Sequence, residues 1–169
     1  MAFDDHVRRG HPIVFGLIIG FAIIELSISA WLTARFNQHH NYPSTSVQDK
    51  TRYLLFASIW TIFFSLFYFV LFLHSPSSSV MTSVASHLIF LFVTWVFWLA
   101  GAAAITAALS GGLDCGHPGV VYCGQQNALE AFAWIEWILV FFALVFVIFR
   151  GVSAQRRGDG MRGGLISSA

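Results

Sequence analysis

Four long apolar runs, separated by short polar interruptions, organise this chain. Residues 1–11 are polar, with Asp4, Asp5, Arg8 and Arg9. Pro12 then stands where a first helical turn tolerates a missing N–H. The run that follows predicts a helix over about 12–34, closed by Arg35. A polar loop over 36–52, with Pro43, Ser44 and Thr45, leads to a second helix over 53–73 that stops at His74-Ser75-Pro76. A Ser/Pro turn precedes a third helix over 84–109, and the fourth covers 128–149. From Ile138 to Phe149 no polar residue interrupts the chain, so no polar face at helical spacing exists there. Each run has the ~20 residues needed to cross a bilayer core.

The first run is too long for a signal-peptide core of about 7–15 residues and lacks a small-residue cleavage site, so it is expected to remain as a membrane helix. Loops this short favour sequential antiparallel neighbours. The expected fold is therefore an all-α integral membrane protein, a four-transmembrane antiparallel helix bundle over 12–150. Residues 1–11 and 151–169 are its flanking segments.

Composition strengthens this reading. Of 169 residues, 57% are apolar and 10% charged, against roughly a quarter charged in soluble domains. So many Phe and Leu side chains require lipid as solvent. A net charge of +1 argues against nucleic acid as a partner, since no concentrated basic surface is available. Arg8, Arg9, Arg150, Arg156, Arg157 and Arg162 flank the bundle at its terminal end, whereas Arg35, Lys50 and Arg52 lie in the first loop. Positive-inside reasoning then places both termini in the cytoplasm. Cys115 and Cys123 fall on the opposite, oxidising side, where a disulfide persists.

A bridge across so short a loop contributes roughly 2–3 kcal/mol through chain entropy. A structural Cys115–Cys123 disulfide is the expected role, with a redox pair or a metal site including His117 as alternatives. Two Cys and one His are one ligand short of a tetrahedral set, so no metal or cofactor is expected. His39-His40 is likewise too little for a metal site.

Glu25 and Glu136 stand out more sharply. On the predicted boundaries both lie within roughly 5 Å of the membrane midplane, on helices that can be neighbours, with no Lys or Arg at that depth. Ionisable groups at such depth are costly and functional by default. A neutral acid or a shared proton is the expected state. They could clasp helices by donating to Ser27, Thr61, Ser65 or Thr94, line a proton or solute path, or contact a lipid headgroup or partner. Glu130 lies nearer the interface, where water is available.

Small residues mark close approaches in lipid. Gly16 and Gly20 form G-x-x-x-G in the first helix, and Ala100, Ala104 and Ala108 recur at four-residue spacing in the third. Packing inside the bundle and dimerisation are both open to them. Trp95, Trp98, Trp134 and Trp137 cluster toward the middle and outer half rather than forming an interfacial belt. No P-loop, G-x-S-x-G, H-E-x-x-H or dinucleotide fingerprint occurs, so no catalytic residue is proposed.

The stretch FWLAGAAAITAAL, the pair Cys115 and Cys123, and CGQQNALEAFAWIEW leading into the fourth helix together resemble MARVEL-domain proteins of the fungal four-span type. The layout matches over about 12–150 and the motifs over 97–137. The resemblance implies a non-enzymatic tetraspan protein that organises membrane domains or trafficking, as nonclassical-export and eisosome-associated proteins do. Plasma membrane or secretory vesicles would be its place, and lipids, other membrane proteins or a second copy its partners. The very short cysteine loop and the two deep glutamates depart from that pattern. They leave a small proton-linked transporter or channel subunit using Glu25 and Glu136 as the alternative.

Overall fold

A chain in lipid must satisfy every backbone N–H and C=O internally, and the apolar runs do so as helices. The computed structural model describes residues 2–74, 84–116 and 119–156. The Ser/Pro turn after His74, His117, and the tail beyond Arg156 lie outside the described residues. Four helices, α1 Ala2–His39, α2 Thr45–His74, α3 Val84–Ala108 and α4 Cys123–Arg156, make up the fold. Each contains a stretch long and apolar enough to span a membrane: Ile13–His39, Thr45–Leu71, Ala85–Ala108 and Cys123–Phe149. α1 packs against α2 and α4, and α3 against the same two, so α1 faces α3 across a diagonal.

The helices outrun the boundaries expected from hydropathy. α1 starts at Ala2 rather than near residue 12, which puts Pro12 inside it rather than in its first turn. α2 begins at Thr45, not 53, and α4 at Cys123, not 128. Hydropathy marks where lipid begins, whereas helices end where the backbone finds a cap. α1 stops where His40 turns left-handed (φ 50°) and donates its N–H to the Phe36 carbonyl. α2 starts where the Ser44 hydroxyl accepts the Val47 N–H at 3.2 Å, an N-cap set by Pro43-Ser44. The first loop therefore shrinks to residues 40–44, and Lys50 and Arg52 sit on helix α2.

Buried positions recur with alternating three- and four-residue spacing. On α1 they are Phe15, Ile18, Ala22, Glu25, Ser29, Leu32 and Phe36; on α4, Gln126, Leu129, Ala133, Glu136, Val140, Ala143 and Val147. α2 follows with Val47, Thr51, Leu54, Ser58, Thr61 and Ser65, and α3 with His87, Leu91, Thr94, Trp98, Ala102 and Ile105. This is the heptad seam of left-handed helix packing at shallow crossing angles. Outward positions are as apolar as inward ones: Ile89 and Phe149 are each 68% exposed. Lipid covers them, so packing and interhelical hydrogen bonds, rather than hydrophobic burial, hold the helices together.

Candidate functional site

Polar side chains within the spans turn inward. Trp98 Nε1 donates to Thr61 Oγ1 at 3.0 Å and Trp60 Nε1 to Thr94 Oγ1 at 3.2 Å, stitching α2 to α3 in both directions. The Tyr53 hydroxyl adds a bond to the Phe97 carbonyl at 3.2 Å, and Tyr68 meets the Ser86 hydroxyl at 2.5 Å. Trp134 Nε1 donates to Thr106 Oγ1 at 2.9 Å across α3 and α4. Of the four clustered tryptophans, Trp98 and Trp134 thus anchor neighbouring helices. Trp95 and Trp137 pair with each other at 6.1 Å between ring centres.

Glu25 and Glu136 lie on the adjacent α1 and α4, and neither side chain is exposed at all. At 1.5 Å per residue Glu25 is about 21 Å below His39 and Glu136 about 20 Å below Cys123, so they share a level. Their two helices pack directly against each other. Among the described residues none of the four carboxyl oxygens has a hydrogen-bond partner. The expected clasp therefore does not form. Ser27 is exposed and donates to the Ile23 carbonyl, and Thr61 donates to the Ala57 carbonyl while accepting from Trp98. Thr94 accepts from Trp60, and the buried Ser65 hydroxyl has no partner. Ser27 and Thr61 thus turn back onto the carbonyl four residues earlier rather than across to the glutamates.

The small residues are also redistributed. Gly16 and Gly20 are exposed, and a Cβ on either would meet nothing within 4 Å, so they do not pack the bundle. Ala100 is exposed, Ala104 and Ala108 half-buried. The close approach belongs to Gly101 instead, where a Cβ would stand 2.7 Å from Leu54 Cδ2 and 3.1 Å from the Tyr53 ring.

At the loop end, α3 closes with Ser110 left-handed (φ 57°) and the Gly111 N–H on the Thr106 carbonyl at 2.9 Å, a Schellman ending. The chain then enters a latch. Asn127 brackets Leu113, accepting its N–H at 2.8 Å and donating to its carbonyl at 2.9 Å. Gln126, fully buried, donates to the Val121 carbonyl at 2.6 Å. Cys115 and Cys123 form a disulfide across the same loop. Tyr122 accepts from Asn41 Nδ2 at 3.2 Å and meets Trp31 edge-to-face at 5.0 Å, joining the loop to α1. Gln126 and Asn127 escape composition and spacing arguments. Their signal is two amides at the head of an apolar helix beside a cysteine.

A family model for the MARVEL membrane-associating domain matches residues 6–146, spanning all four helices. The chain belongs to the MARVEL family. No curated protein and no solved structure matches it. Family and fold together establish a multi-pass integral membrane protein whose described polar chemistry is the loop latch and the Glu25–Glu136 pair.

Proposed function

We propose that this MARVEL protein is a non-enzymatic tetraspan organiser that shapes membrane domains or trafficking through lipid and protein contacts. Its termini lie in the cytoplasm and its home is the plasma membrane, as in the fungal members it resembles. One observation carries the reading: Glu25, Glu136 and the hydroxyls of Ser58, Thr61, Ser65 and Thr94 are buried inside the bundle, while the perimeter offers apolar side chains such as Phe63, Phe92 and Phe142. Such a surface recognises acyl chains and other helices, not a soluble substrate. The exposed Gly16 and Gly20 leave one stretch of α1 free of bulk, where another helix can approach.

Purified protein in liposomes with an entrapped pH-sensitive dye tests this against the transporter alternative. The organiser reading expects no proton movement above empty liposomes, and co-purifying lipid in gentle detergent. Proton flux that disappears in Glu25→Gln or Glu136→Gln overturns it.

A further inference from the structure

We propose that Glu25 and Glu136 form a two-carboxyl site that holds a single small monovalent cation, a proton or an alkali-metal ion, between α1 and α4. Both side chains are fully buried, at heptad core positions on adjacent helices, with all four oxygens unpartnered among the described residues. They stand at one level on helices that pack against each other. Buried polar groups in folded proteins are mostly hydrogen-bonded, and two whole carboxyls standing open at one level point to an electropositive guest. The surroundings exclude an intrinsic one. Titratable groups on α1 other than Glu25 are Asp4, Asp5, His6, Arg8, Arg9 and His11 at its start and Arg35 and His39 at its loop end; α2 offers Asp49, Lys50 and Arg52 at that loop end, with Tyr53 one turn deeper and Tyr68 and His74 toward the other end. α3 offers His87, packed on Tyr68 at 4.5 Å near its start, and α4 offers Glu130, nearly two turns above Glu136, with Arg150 and Arg156 in its far end. None stands at the level of the pair.

The seam itself sharpens the inference. Among the described residues side-chain hydrogen bonds tie α2 to α3 and α3 to α4 within the span, and α1 to α2 through Asn37 at the loop end, whereas α1 and α4 meet within the span through packing. A cation shared by the two carboxyls supplies the missing polar tie. Its loss leaves two like charges facing each other in low dielectric, which drives α1 and α4 apart. Occupancy thus sets how firmly this seam closes. The proposal is separate from the organiser reading, because a cation bound in the seam need not cross it.

The test is thermal unfolding of the full chain in detergent, followed at pH 5 to 10 in N-methylglucamine buffer, then with Li⁺, Na⁺ or K⁺ added at constant ionic strength. Acidification, or one alkali ion at high pH, should raise the midpoint by about 3–5 °C per tenfold change in cation activity while the site fills. Response to acid alone identifies a proton; response to an alkali ion at fixed pH identifies a metal ion. Glu25→Gln and Glu136→Gln should each remove the response. A wild-type midpoint indifferent to both, a response that survives in the double Gln variant, or a response to Mg²⁺ or Ca²⁺ only overturns the proposal. Infrared difference spectra of wild-type protein across the same titration provide a readout independent of variant folding. A buried carboxyl band must change with occupancy, and an unchanged band refutes the site.

Discussion

Adding one methyl at Gly101 tests how closely α2 and α3 approach. Its Cβ would fall 2.7 Å from Leu54 Cδ2 and 3.1 and 3.3 Å from two Tyr53 ring carbons. Carbon atoms prefer separations of about 3.5–4.0 Å, so the nearest contact is short by about 1 Å. Leu54 is fully buried, and Tyr53 is held by its bond to the Phe97 carbonyl, so neither yields freely. Overpacking of this kind costs about 1–3 kcal/mol, while Gly to Ala within a helix returns up to ~1 kcal/mol. Gly101→Ala should therefore lose about 1 kcal/mol, and Gly101→Val clearly more, as the added volume forces the helices apart. On a chain of this size 1 kcal/mol moves the unfolding midpoint about 2–4 °C. Tryptophan emission in detergent is the natural probe, because Trp60 and Trp98 bridge the same two helices. Gly20→Ala, with nothing within 4 Å, is the control and should be neutral or slightly stabilising. A Leu54→Ala background should absorb part of the Gly101→Ala cost, a non-additivity expected only of residues in contact. If Gly101→Ala and Gly20→Ala behave alike, the close approach does not exist.

Other expectations follow from single contacts. Replacing Trp98 with Phe removes its bond to Thr61 and should cost about 0.6–2 kcal/mol, read as a lower unfolding midpoint. Asn127→Ala leaves both polar groups of Leu113 without their bracket and should lower stability by about 1–2 kcal/mol. Peptide mapping without reductant should nevertheless still find Cys115 joined to Cys123. An impermeant label on intact cells should reach a tag inserted at residues 40–44 but not one at either terminus, and labelling of the C-terminal tail would reverse the orientation.

Four spans are legible in the sequence because lipid demands length and apolarity, and both can be counted. The buried face is not legible from hydropathy, since Phe63 toward lipid and Leu54 toward the core look alike on any apolar scale. The periodic signal lies in the minority of polar and small residues. Thr51, Ser58 and Ser65 recur every seven positions on α2, as do His87, Thr94 and Gly101 on α3, and all six are buried. Glu25 and Glu136 belong to the same register, so their shared depth can be inferred from spacing. Their lack of hydroxyl partners cannot, because each nearby Ser or Thr chooses between its own helix and a neighbour. The G-x-x-x-G is ambiguous for a related reason: it marks where close approach is possible, not which helix approaches. Its neighbours Ile13, Leu17 and Ile24 face outward with it.

The open carboxyls reverse the sign of one substitution. Were Glu25 and Glu136 hydrogen-bonded clasps, leucine at both positions would remove an interhelical bond and destabilise the bundle by about 0.5–2 kcal/mol. With no partner on any of their four oxygens among the described residues, the native pair instead burdens the fold with desolvated polar groups. Replacing buried charged groups with apolar residues of similar volume is often neutral or stabilising by about 1–4 kcal/mol. Both sites already sit in heptad core positions, where leucine fits the spacing. The double Leu variant should therefore unfold at a higher temperature than wild type in cation-free buffer at high pH. The gap should narrow as acid or the bound alkali ion is restored to wild type. A double Leu variant that is less stable than wild type under every condition means the carboxyls are structural after all. One that is more stable means that this chain gives up stability at its α1–α4 seam, a sacrifice that points to a use for the two acids beyond holding the helices together.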